Sequence, residues 1–238
     1  MTAKPYAIIS RWLAPVLFSL AVAAIPLHAQ TDSYLPAGKP DAIALLAPPP
    51  LPGSQEQAAD LAEVEAVRHT CTSNDQAIAY SEKKFNIYTF APAIGGFFQP
   101  GKFPKTEAFF ENVQKQAEIV TDNAKDFYKR PRPYVVDPGL INGKLEKSFS
   151  YPSGHSTESM VLALVLADLF PDRHDAIIAK ARSIGWHRVE IARHYPTDIY
   201  AGRVLAQAIV RKMKESPDFQ KDFAGAKAEI AAAQTAKN

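Results

Sequence analysis

Apolar positions along this chain recur at helical spacing. Between residues 104 and 129, Phe109, Val113, Ala117, Val120, Ala124 and Phe127 follow one another at three- and four-residue steps, which predicts one long amphipathic helix. Residues 155–169 are almost wholly apolar after their first turn, through Met160, Val161, Leu162, Leu164, Val165 and Leu166. A helix apolar on every side belongs at the centre of a bundle. Residues 173–191 and 197–214 predict two more helices, and Pro217 suits the first position of a last one. Ahead of these, Ser54, Gln55, Glu56 and Gln57 fit a capping box, with Ala58, Leu61, Val64 and Ala66 as the inward series behind it. No stretch sustains a period of two, and no internal repeat is evident. The expected fold class is all-α, a single-domain helical bundle over residues 54–238.

The N-terminal part breaks this pattern. Lys4 and Arg11 give a positive start, Trp12 to Ile25 carry no charge, and Ala29 offers a small residue before Gln30. That is the layout of a secretory signal peptide over residues 1–29. The apolar run is short of the ~20 residues a spanning helix needs. The expectation is therefore a periplasmic or secreted protein with no integral membrane segment in the mature chain. Residues 30–53, with Pro36, Pro40, Pro48 to Pro50 and Pro52, predict an extended arm lying on or beside the domain.

Composition changes little. At 238 residues, 47% hydrophobic and 22% charged, the chain has globular values and is neither disordered nor fibrous. Loss of residues 1–29 removes Lys4 and Arg11, leaving the cations in balance with the 25 acidic residues. With no basic stripe either, nucleic acid is excluded as a partner. Cys71 is the single cysteine, so it forms no internal disulfide and is expected as a small buried hydrophobe.

Three stretches carry candidate chemistry. The first runs from Lys125 to Arg132 and Pro133, where the prolines at 131 and 133 stop the long helix. By itself it reads equally as a solvated basic helix terminus. The second, Ser150 to Ser156, precedes the most apolar helix. Gly154 allows close backbone approach there, and a helix N-terminus offers free amide hydrogens to an oxyanion. Pro152-Ser153-Gly154 also suits an ordinary turn. In the third, Arg188 to Asp198, the carboxylate follows His194 by four positions and falls in the opening turn of the next helix. It can fix the imidazole tautomer, or it can be a cap beside a core histidine.

Taken in order, Lys-x6-Arg-Pro, Pro-Ser-Gly-His and Arg-x5-His-x3-Asp resemble the signature of the type 2 phosphatidic acid phosphatase (PAP2) superfamily. Phe90-Ala-Pro-Ala-Ile-Gly95 and Asp198-Ile-Tyr-Ala-Gly-Arg203 add likeness to its soluble bacterial class A non-specific acid phosphatases. The resemblance covers roughly residues 40–214. It implies a metal-independent phosphatase, with no cofactor, acting on small-molecule phosphate monoesters. His194 is the implied nucleophile, forming a phosphohistidine, with Asp198 orienting it and His155 as general acid and then base. Lys125, Arg132 and Arg188 would grip the non-bridging oxygens, the arginines in bidentate fashion, while Ser153 and the Gly154 amide complete the cradle.

Two departures from the family pattern stand out. His187 replaces the usual serine before the third-motif arginine, and Ala192 with Arg193 replace glycine and a small or apolar residue before His194. The first bears on hydrogen bonding behind the site, the second on the pocket mouth. His69 and His174 receive no role. Tyr134, Tyr151 and Tyr195 flank the motifs, as pocket lining or as packing. The same residues leave two alternative enzymes open: a vanadium-dependent haloperoxidase with vanadate in the cradle, and a lipid phosphate phosphatase at a membrane surface. A non-catalytic phosphate binder would not need the histidine pair. Homo-oligomer formation is compatible with the sequence.

Overall fold

A computed structural model describes residues 1–2 and 33–235. The predicted signal peptide lies outside the described residues, except for its first two. Among the described residues every helix or strand assignment is helical. In chain order the α-helices are α1 (Ala42–Leu45), α2 (Gln55–Thr70), α3 (Ser73–Ser81), α4 (Ala91–Ile94), α5 (Pro104–Tyr128), α6 (Pro133–Val136), α7 (Gly154–Leu169), α8 (His174–Glu190), α9 (Pro196–Met213) and α10 (Pro217–Thr235). The all-α expectation holds.

The apolar α7 is the central element, packed by α5, α8 and α9. Glycines let its neighbours come close. A Cβ on Gly202 of α9 would stand 2.9 Å from the Ser153 carbonyl oxygen and 3.0 Å from the Thr157 hydroxyl, and one on Gly185 of α8 would stand 3.2 Å from Ser156. These contacts draw α8 and α9 against the first turn of α7, where two of the three motifs meet.

α5 buries Phe109, Val113, Ala117, Val120 and Ala124 as its stripe predicts, but Phe127 is 57% exposed. The stripe rotates in the last turn. Lys125 takes the inward place, and Tyr128 packs on the core with its hydroxyl on the Leu46 carbonyl at 3.0 Å. Glu229 of α10 accepts from the backbone N–H groups of Lys105 and Thr106 at the start of α5. That puts an acceptor and a negative charge where the helix dipole favours both.

α2 differs more from its expectation. Ser54 accepts from the Gln57 N–H at 3.1 Å, but the returning half of the box is absent because the Gln57 side-chain oxygen Oε1 accepts from the Arg130 guanidinium at 2.8 Å. Ala58 and Ala66 face outward, and the inward side carries Asp60 and Val64. A charge-assisted bond to Arg130 outweighs the small gain from burying two methyl groups.

The arm is part of the core rather than beside it, and it contains the single helical turn α1, capped by Asp41. Tyr34, Leu35, Ala42 and Leu46 are buried. The Tyr34 ring packs edge-on against Phe219 of α10, and its hydroxyl donates to Asp222 at 2.8 Å. Cys71 caps the end of α2 and is only partly buried, its expected role as a core hydrophobe forestalled by that terminal position.

Candidate active site

Lys125 lies in the last turn of α5, after which Lys129 adopts a left-handed conformation (φ +50°) and turns the chain sharply. That reversal sends Arg130 and Arg132 back under the bundle, where both are buried. On the other side, Ala192 (φ +52°) ends α8 and delivers Arg193 and His194 to the same place. The Ser153 N–H donates to the Asp198 carbonyl at 3.0 Å, tying the start of α7 to the start of α9.

Asp198 is fully buried, and its carboxylate lies 3.2 Å from His194 Nδ1. It also receives the Tyr195 N–H at 3.0 Å, the Ser150 hydroxyl at 2.5 Å and Arg130 Nη1 at 2.7 Å. Because the carboxylate accepts, Nδ1 is assigned the proton, and Nε2 is left with its lone pair. Nε2 faces Arg132 Nη1 at 3.2 Å. Arg130 sits over the Tyr195 ring at 3.8 Å and also pairs with Asp60 at 2.7 Å, so one buried cation holds α2 to α9 behind the imidazole.

The charges of three buried cations, Lys125, Arg132 and Arg188, act on this imidazole. Arg132 spends Nε and Nη2 on Ser148 and the Phe149 carbonyl, so Nη1 alone faces the centre. The expected bidentate grip is thus not available from Arg132, because its fork is already holding the segment that leads into α7. Lys125 approaches Gly154 so closely that a Cβ there would meet Nζ at 3.5 Å. Ser153 serves as N-cap of α7, accepting from the Ser156 N–H. The Gly154 amide has no acceptor within its own helix by virtue of its position.

His155 occupies the first turn of α7, with its ring against Phe85 and Nε2 3.2 Å from the Lys83 carbonyl. The charges of Arg188, Glu146 and Lys125 reach both His155 and His194. Burial first, then the Arg188 charge, lowers the His155 pKa to about 3. Burial and the Arg132 charge hold His194 well below the usual histidine range. Both rings are therefore neutral near pH 7 in the ligand-free protein. This suits a nucleophile. A general acid needs a proton on His155, and burial, with the Arg188 charge behind it, opposes one there. Burial and the charge of Arg132 likewise lower Lys125, whereas burial raises Glu158, one turn along α7, to about 7.

Residues that the motifs did not single out complete the arrangement. Arg130 and Ser150 hold Asp198. Glu146 bonds to Arg188 Nη2 and, at 2.8 Å, to Arg132 Nη1. Glu82, at the end of α3, pairs with Lys180 and accepts His187 Nδ1 at 2.5 Å, which fixes the turn whose Lys83 carbonyl meets His155. The departure at His187 thus acts through Glu82. Arg193 is buried rather than at a pocket mouth. Its guanidinium donates to the Asn142 and Lys144 carbonyls and lies over Tyr134. Tyr134, Tyr151 and Tyr195 all pack or tie backbone, Tyr151 through the Ala47 carbonyl at 2.5 Å. His69 is exposed, and His174 is exposed beside Asp175. Among the described residues no helix is long and apolar enough to cross a membrane.

Known proteins resemble this chain in sequence and fold. The model of the PAP2 superfamily matches residues 116–218. A non-specific acid phosphatase of Providencia stuartii is 31% identical over 80% of this chain and 81% of its own length. An acid phosphatase of Zymomonas mobilis is 28% identical over 82% of this chain and 77% of its own. Among solved structures, a transmembrane PAP2 type phosphatidylglycerolphosphate phosphatase from Bacillus subtilis matches with a TM-score of 0.51 at 19% identity, covering 73% of this chain and 89% of that one. That last likeness concerns the fold alone.

Proposed function

Because the chain belongs to the PAP2 superfamily and is a phosphatase, we propose that it is a secreted acid phosphatase hydrolysing small phosphate monoesters through a phosphohistidine at His194. The observation that carries this reading is the held imidazole: Nδ1 against a buried carboxylate, and Nε2 turned toward the buried cations.

In the proposed sequence, the phosphoryl oxygens settle among Arg132 Nη1, Arg188, Lys125 and the amide at the start of α7. Nε2 of His194 attacks phosphorus and the ester P–O bond breaks. Asp198 offsets the positive charge that develops on the ring. The departing alkoxide takes a proton from His155. That proton is acquired as the substrate dianion enters, since added negative charge favours the imidazolium against the burial and the cations that suppress it. Neutral His155 then takes a proton from water, whose oxygen attacks phosphorus. The P–N bond breaks and phosphate leaves. Dependence on protonating a suppressed histidine favours turnover on the acid side of neutrality.

The test uses the mature protein with an aryl phosphate. Turnover should persist in EDTA, and acid quenching should trap an acid-labile phosphoenzyme that His194→Ala does not form. A divalent ion that restores activity lost to EDTA, or a phosphoenzyme that survives the substitution, contradicts the reading. Recovery from the periplasm or medium of a chain beginning at Gln30 would support export, and a retained Met1 would oppose it.

A further inference from the structure

The cationic centre already holds a carboxylate of this chain. Glu146 spans it, one oxygen on Arg188 Nη2 and the other 2.8 Å from Arg132 Nη1. These are the same donors that the proposed mechanism gives to the phosphoryl oxygens. A carboxylate bridging two guanidiniums with two oxygens presents part of the charge and geometry of a tetrahedral oxyanion.

The way Glu146 is carried suits removal. It lies on the irregular segment between α6 and α7, whose neighbours Gly143, Lys144, Leu145 and Lys147 are exposed, and its own side chain is 25% exposed. The segment is tethered at its backbone. The Tyr134 hydroxyl meets both the N–H and the carbonyl of Glu146, at 3.1 and 3.2 Å, while Arg193 holds the carbonyls of Asn142 and Lys144. Rotation of the side chain can therefore withdraw the carboxylate without undoing those tethers. The buried cations explain why something anionic sits there: unpaired buried guanidiniums are costly. Burial alone would raise the Glu146 carboxyl, but Arg188 and then Arg132 bring it down to about 2, so it stays charged across any working pH.

We propose that Glu146 is a specificity-determining residue of the anion site: an internal occupant that the substrate phosphate must displace, and that returns to Arg132 and Arg188 as product phosphate leaves. This rests on reading those arginines as the phosphate's donors. A site closed by its own side chain binds a ligand with its affinity reduced by the fraction of time it stands open. The occupant thus discriminates against weakly charged anions, and its return opposes product retention.

Inorganic phosphate is the probe. Glu146→Gln keeps the volume and removes the charge. It should lower both the inhibition constant for phosphate and the KM for an aryl phosphate by on the order of tenfold, with Glu146→Asp between. Thermal melts guard against a folding artefact: in phosphate-free buffer Glu146→Gln should melt below the wild type, and added phosphate should raise its midpoint more than the wild type's. Phosphate affinity that is unchanged or weakened in Glu146→Gln overturns the proposal. If phosphate inhibits neither protein, and Arg188→Ala leaves KM untouched, it is the cradle reading that fails instead.

Discussion

Two buried or half-buried carboxylates flank the same candidate site, and they are held by opposite means. Asp198 stands in the first turn of a long helix, fully buried, fastened by Arg130, Ser150 and a backbone amide besides His194. Glu146 reaches in from an irregular segment, a quarter exposed, and its carboxylate bonds to Arg132 and Arg188. The difference matches the roles proposed for them. A group that fixes a tautomer has to be immobile, and burial with several donors makes it so. A group that shares donors with a transient anion has to be displaceable, and a loop makes that affordable.

The sharpest way to break this contrast is Asp198→Asn. An amide of the same shape can offer a donor to Nδ1 and hold the wrong tautomer, so turnover should fall by about 10⁴-fold. It also removes one anion from Arg130, at a stability cost on the order of 3 kcal/mol. Single-turnover kinetics and urea unfolding measure the two effects, and a variant retaining a tenth of wild-type turnover would show that Asp198 is merely a cap.

Acid titration probes the other carboxylate. Glu146 has its pKa lowered from 4.5 to about 2 in the folded protein. Its contribution, on the order of 3 kcal/mol, is therefore complete above pH ~4.5 and is lost as pH falls toward 2. The stability difference between wild type and Glu146→Gln, taken from urea midpoints in phosphate-free buffer, should be largest near pH 6 and shrink steadily below pH ~4.5. A difference independent of pH would mean that the carboxylate is not held by the arginines.

The smallest effect is expected between the two regions. Ala192 has a left-handed backbone (φ +52°) and is followed by Arg193, which tethers the Glu146 segment, and by His194, which Asp198 holds. Relief of a conformation costing an alanine about 1–2 kcal/mol is offset by the entropy of glycine, about 0.5–1 kcal/mol, and by loss of a buried methyl group, about 0.8 kcal/mol. Ala192→Gly should therefore change stability by less than about 1 kcal/mol in either direction, with KM shifting more than kcat. A loss of about 2 kcal/mol or more in urea unfolding would remove the strain argument.

Much of the bundle could be read from the chain because its helices bury broad apolar faces, and such faces leave a period in the sequence. The reading failed where a polar contact overrode that period. Asp60 turns inward in α2 because Arg130 is there, and Phe127 turns outward because Lys125 takes its place. The candidate site divides the same way. His194 and Asp198 are four apart across a helix start, a spacing with mechanical meaning. Nothing local distinguishes Arg130 from Arg132 within Lys129-Arg-Pro-Arg132, and their separate tasks arise only from folding. Glu146 gave no signal at all: a glutamate among lysines in an irregular segment acquires its partners solely through the path of the backbone.

The bond from Tyr34 to Asp222 joins residues 188 positions apart. A ring closure of that span is among the last that a chain can make, since its far end must first be synthesised and the loop entropy overcome. The hydrophobic seam between the arm and α10 is thus a terminal clasp. Any truncation that trims α10 back past Asp222 should leave a core that is assembled but unlatched, detectable as faster amide exchange at the base of α5.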